Sequence, residues 1–192
     1  MFSLNVPLPP AIDRVAADLH PKLAGFDRLR ERHTLVCKRF SVDDVTGGGR
    51  GGRSGRAGGA PGGRGATPEK QVALATLRED LRPLLAGTDP FDVRVTGIGA
   101  FEAPAQGPGP VVYLSVESDG LERVHRRLCG TFDAVEGIEG DDYVPHITLA
   151  RGGDPEAVER LLGTEIEPIG WRVHALDVYD PDFREVAATI EL

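Results

Sequence analysis

Hydrophobic and polar positions along this chain switch repeatedly between a two-residue and a three-to-four-residue period. Phe2, Leu4 and Val6 recur at alternate residues, which predicts a short strand closed by Pro7, Pro9 and Pro10. Pro10 suits a first helical turn, and Ile12, Val15, Ala16 and Leu19 then repeat at helical spacing. Thr34 to Phe40 (TLVCKRF) is rich in β-formers and reads as a strand. Thr67-Pro68-Glu69-Lys70 opens a helix carried by Val72, Leu74, Leu77, Leu81 and Leu84 as far as Gly87. Phe91–Phe101 and Val111–Val116 read as strands joined by the Pro/Gly turn Ala103–Pro110. A helix opens at Ser118-Asp119-Gly120 and closes at Gly130, Tyr143–Arg151 is a strand, and Pro155–Leu162 is a short helix. Trp171–Tyr179 and Phe183–Leu192 close the chain as a hairpin around Asp180-Pro181-Asp182. Helices and strands mix without strict alternation, which predicts an α+β fold with largely antiparallel sheets.

Composition narrows the class. The chain of 192 residues is 40% hydrophobic and 27% charged, enough for one domain with a real core. Its net charge of −8 excludes a wholly basic nucleic-acid coat but leaves room for a local basic cleft. Apolar runs fall well short of a membrane helix, and the N-terminal residues lack the basic and long apolar regions of a signal peptide. Cys37 and Cys129 form no CxxC pattern. The expectation is a cytoplasmic monomer without a membrane partner.

Eleven of the 25 glycines lie in residues 47–66, GGGRGGRSGRAGGAPGGRGA. With no aliphatic residue larger than alanine, this stretch cannot offset its ordering entropy and is expected to be a disordered loop insertion. Removing the +4 of Arg50, Arg53, Arg56 and Arg64 from the net −8 leaves −12 for the remainder. The loop reads either as a weak RNA-phosphate tether or as a tolerated surface insertion.

The chemistry concentrates in His146-Ile147-Thr148-Leu149. On a strand His146 and Thr148 project to one face, setting an imidazole that moves protons near neutral pH beside a hydroxyl that donates to an anionic oxygen. No glycine-rich phosphate cradle follows a strand, and no His/Asp/Glu set has metal-ligand spacing, so neither a cofactor nor a metal is expected.

YVPHITLAR (143–151) resembles the C-terminal signature of the 2H phosphoesterase superfamily, in its 2'-5' RNA ligase / RNA 2',3'-cyclic phosphodiesterase branch. HTLVCKRF, FDVRVTGIGAF, VVYLSVES and the closing REVAATIEL follow in the same order. The resemblance implies two pseudo-symmetric lobes whose antiparallel sheets face a central cleft, with helices outside. Each lobe then supplies one His-x-Ser/Thr pair and no metal takes part. Two imidazoles flanking one phosphorus serve as base and acid, while two hydroxyls hold the nonbridging oxygens.

The first motif departs from that pattern, because His33 directly precedes Thr34. Matching Thr34-Leu35 to Thr148-Leu149 sets Arg32 opposite His146; Arg32, Thr34, Val36 and Lys38 then share the cleft face. A β-bulge between His33 and Thr34 instead turns both inward. The candidates are therefore His33 and His146 as acid/base residues, with Thr34, Thr148, Arg32, Lys38, Tyr143 and Arg151 as substrate contacts. Lys38 and Arg39 are either cleft-lining phosphate contacts or solvated strand-edge charges, and Lys38 is preferred because it shares Thr34's face. Tyr143 either stacks a base or caps the core, and Arg151 shares Leu149's face, for a structural or rim role or a substrate contact.

Three functions remain open. One is a metal-independent phosphodiesterase opening 2',3'-cyclic phosphate RNA ends to 2'-phosphates, with 2'-5' ligation as the reverse. Another is a non-catalytic RNA- or nucleotide-phosphate-binding module. The third is a small-molecule cyclic nucleotide phosphodiesterase.

Overall fold

The computed structural model describes residues 1–41 and 68–192; the Gly/Arg-rich stretch 47–66, expected to be disordered, lies outside the described residues. The strands are β1 (Phe2–Val6), β2 (Arg28–Leu29), β3 (Leu35–Phe40), β4 (Phe91–Phe101), β5 (Val111–Glu117), β6 (His146–Arg151), β7 (Ile169–Val173), β8 (Ala175–Asp180) and β9 (Glu185–Glu191). The α-helices are α1 (Pro10–Leu19), α2 (Pro68–Leu85), α3 (Asp119–Cys129) and α4 (Pro155–Leu162).

All described strands join one antiparallel sheet in the order β7-β4-β5-β6-β3-β1-β8-β9, with β2 also paired to β6. It divides into two halves, β6-β5-β4-β7 and β3-β1-β8-β9, meeting where Leu35 pairs with Ile147. Each half contains the same strand–helix–strand unit, β1-α1-β3 in one and β5-α3-β6 in the other. The α+β fold and its two-lobed pseudo-symmetry are thus as the sequence implies.

The helices form where local chemistry closes them. Ile12, Ala16 and Leu19 of α1 are buried in the core at helical spacing. Ser118 caps α3, its Oγ accepting from the Leu121 N–H at 3.2 Å and donating to the Asp92 carbonyl at 2.6 Å. Asp154 caps α4 through the Ala157 N–H at 2.7 Å.

Two departures from the expected elements shape the site. The single strand read over Trp171–Tyr179 is two: β7 edges β4, and β8 crosses to pair with β1, the chain changing halves at His174. The other is a pair of β-bulges. Leu4 faces Lys38 while Asn5 faces Val36, so Cys37 is the extra residue in β3. Val112 faces Ala150 while Tyr113 faces Thr148, so Leu149 is the extra residue in β6. A bulge reverses which face later residues occupy.

In β3 the bulge sends Lys38 inward and Arg39 outward. Lys38 is fully buried; its ammonium donates to Glu139 Oε2 at 2.6 Å and to the carbonyls of Arg39 and Asp133, each at 2.8 Å. Glu139 also accepts from the N–H groups of Arg39 at 2.8 Å and Val135 at 3.1 Å. Lys38 is therefore a structural cation and not a phosphate contact, correcting the face assigned to it from alternation. His125 serves the same bulge: its Nδ1–H donates to the Cys37 carbonyl at 2.6 Å, and its Nε2 accepts from the Gly140 N–H at 2.9 Å. Glu139→Ala, which strands the Lys38 ammonium, is expected to cost about 3–5 kcal/mol in urea unfolding, with Lys38→Met/Glu139→Leu recovering most of it. A loss below about 1 kcal/mol would show that water reaches Lys38.

Candidate functional site

The two bulges give β3 and β6 matching faces. Around the Leu35–Ile147 rung, antiparallel pairing sets Thr34 beside Thr148 and Val36 beside His146. The same local two-fold matches His146 to Thr34, Thr148 to Val36, bulged Leu149 to bulged Cys37, and Arg151 to Arg39. Thr34 therefore stands in the position of the second histidine, and Val36 in that of the second hydroxyl. The bulge in β3 lies at Cys37, three residues beyond the one weighed from the sequence.

These side chains line a cavity of about 300 Å3: His146, Thr148, Thr34, Arg39, Arg151 and Val36, with Phe101 and Tyr143. Arg151, expected at the rim on Leu149's face, reaches the cavity because the Leu149 bulge reverses it. There its Nη1 donates to the Gln106 carbonyl at 2.9 Å. Tyr143 borders the cavity with one ring face already covered. Its ring stacks on His125 at 3.7 Å and its hydroxyl donates to the Val36 carbonyl at 2.8 Å. This Tyr143 caps the core, and its ring face on that side is taken.

His33 and Arg32 do not join His146. β2 and β3 both run along β6, and residues 31–33 loop away between them. His33 lines a separate cavity of about 860 Å3, its Nδ1 3.5 Å from Asp13 Oδ1. Arg32 lines that cavity too, over the Tyr179 ring at 4.4 Å and donating to the Arg184 carbonyl at 2.6 Å. Thr34 borders both cavities.

The His146 ring is held in one orientation. Its Nδ1 lies 2.7 Å from the Val144 carbonyl, which can only accept, so Nδ1 carries the proton and Nε2 keeps its lone pair. Phe101 packs edge-on and Tyr113 tilted against the ring, each with centroids 5.2 Å away. Gly99 permits this, since a Cβ there would meet the Tyr113 ring at 2.7 Å. Burial pushes the His146 pKa below its ordinary 6.5, and Arg39, Arg151 and Arg30 lower it further against the opposing Val144 bond. Near neutral pH the imidazole is therefore an uncharged base.

The guanidinium groups crowd one another. Burial, then Arg30, Arg28 and Arg39, lower the pKa of Arg151. In a chain of net charge −8 this is a local cluster of cations, offset in part by Glu139, whose Oε1 lies 3.6 Å from Arg39 Nη1, and by Asp142 on the cavity wall; an anion relieves the remaining repulsion. Of the two cations weighed for the cleft, the bulge gives the place to Arg39, against alternation. Phe101 and Tyr113 are not legible as site residues, because they sit on neighbouring strands that read as core.

Protonation of the buried histidines also governs stability. His125, like His146, has its pKa lowered first by burial. Unfolding lets each take a proton near pH 6.5 that the folded state refuses. The penalty is absent above that pH and complete below the folded pKa values.

Comparison with known proteins follows this geometry. The family model described as 2'-5' RNA ligase superfamily matches residues 65–183, more than half of the chain and including β6, though not β3. The crystal structure of TT0787 of Thermus thermophilus is similar in fold, with a TM-score of 0.58 at 18% identity, covering 100% of this chain and 97% of that one. No curated protein matches the sequence significantly.

Proposed function

The chain belongs to the 2'-5' RNA ligase superfamily, and from that premise we propose that it opens 2',3'-cyclic phosphates at RNA ends with a single imidazole and no metal. The observation that carries this reading is the His146 Nε2 lone pair, held free in a cavity bordered by the Thr34 and Thr148 side chains and by two guanidinium groups. The phosphate monoanion sits among Arg39, Arg151, Thr34 and Thr148, whose donors hold its nonbridging oxygens and meet the charge of the transition state. His146 takes a proton from water as the water oxygen bonds to phosphorus. The bond from phosphorus to the 3'-oxygen breaks, solvent protonates that oxygen, and His146 returns its proton to solvent. The product is a 2'-phosphate with a free 3'-hydroxyl; a 5'-hydroxyl in place of water gives a 2'-5' linkage. Without a second imidazole the leaving oxygen has no positioned acid, at a cost of roughly 10²–10⁴ in rate.

A second reading, capture without turnover, is favoured by Thr34 and Val36 standing where a second acid/base pair belongs. Incubation of a 2',3'-cyclic-phosphate oligonucleotide in EDTA separates the two. Turnover to a 2'-phosphate, retained in His33→Ala and lost in His146→Gln, is expected; tight binding with no product would leave capture standing.

The acid limb of kcat/KM for this reaction is expected to have its midpoint below pH 6.5, because His146 must be unprotonated. Arg151→Ala moves that midpoint upward by removing one of the cations that lower it. A limb above 7 in the wild type would identify another base.

A further inference from the structure

The larger cavity begins where the smaller one ends, at Thr34, and a row of strand-paired residues leads into it. Val36 beside His146 pairs across to Asn5 on β1, and Asn5 pairs across to Asp177 on β8. Cross-strand partners share a face, so Val36, Asn5 and Asp177 form a continuous line away from the imidazole. Asn5 lies two strand spacings from His146, about 10 Å. A nucleoside attached to the phosphate bridges that gap; a bare phosphate does not.

Asn5 is the unexpected residue of this row. It is 6% exposed on a central strand, it lines the 860 Å3 cavity, and its Oδ1 is buried without a hydrogen-bond partner. Such an unpaired acceptor is a standing cost to stability, and leucine at this position carries no such cost. Val6, Leu8, Ala16 and Leu23 give the cavity an apolar side, while Tyr179, Asp177, Arg32 and His33 also line it. An apolar side bordered by hydrogen-bonding groups suits a flat heterocycle with a polar edge.

We propose that this cavity is the nucleoside half of the site, and that the Asn5 side-chain amide hydrogen-bonds the edge of the base attached to the phosphate. The proposal rests on the phosphate cavity at His146 and names what extends from it. Asn5 is then a specificity-determining residue, kept at the expense of stability.

Calorimetric titration of the wild type with the four nucleoside 2'-monophosphates and with inorganic phosphate tests this. At least one nucleotide is expected to bind tenfold or more tighter than inorganic phosphate. Asn5→Leu should bring that nucleotide within threefold of phosphate, leave the phosphate Kd within threefold of wild type, and raise Tm. Ala17→Phe, at an exposed α1 position bordering the cavity, should remove the same nucleotide gain by filling the space. No nucleotide gain in the wild type, or a gain that survives both substitutions, overturns the proposal. Failure of the underlying reading looks different: inorganic phosphate would then bind no more weakly to Arg151→Ala than to the wild type.

Discussion

Glutamine in place of His146 is expected to lower turnover of a 2',3'-cyclic phosphate end, under the proposed reaction, by about 10²–10⁴-fold, the usual worth of a positioned proton acceptor. Glutamine keeps a side-chain amide near the Val144 carbonyl but has no lone pair of comparable basicity. The proposed phosphate contacts, Arg39, Arg151, Thr34 and Thr148, do not use that lone pair, so the Kd of the 2'-phosphate product is expected to change by less than threefold. Single-turnover rates and product titration measure the two quantities separately. Equal losses in both would mean that His146 holds the substrate and does no proton chemistry. An unchanged rate would remove the imidazole from the reaction.

The opposite substitution builds catalysis. Thr34→His with Val36→Thr places on β3 the pair that β6 already carries, at the positions matched by the two-fold through Leu35 and Ile147. Under the proposed reaction one imidazole would then activate water while the other protonates the leaving oxygen, and the rate is expected to rise by roughly 10²–10⁴-fold. The pH profile changes with it, from a single acid limb to a bell, because acid and base must now be in opposite protonation states. A folded double variant with unchanged rate and a single limb would refute the match between Thr34 and His146. His33→Ala in the double variant, at a residue bordering the other cavity, is expected to leave that gain in place.

Much of the architecture is legible in residue order because it rests on local chemistry. Alternation marks Phe2–Val6, and the Asp154-Pro155 start with buried Ala157 and Leu161 marks Pro155–Leu162. The His146–Thr148 pair is equally local, two residues apart on one strand. What escapes is anything decided by a distant partner. Alternation predicts Lys38 on the cleft face, yet a carboxylate 101 residues away, at Glu139, holds it in the core. A bulge obeys no period within its own strand; Cys37 and Leu149 become extra residues only against the registers of β1 and β5. Arg39 and Arg151 enter the cavity for that reason. The break at His174 is similar, since Trp171–Tyr179 reads as continuous and only the partners β4 and β1 divide it.

The meeting of the two halves at one rung of β3 and β6 has a mechanical outcome. A guest gripped by Thr34 on one side and Thr148 on the other fastens the halves together where few main-chain bonds do so. Tight association with an anion and suppressed amide exchange along that seam become two readings of a single event.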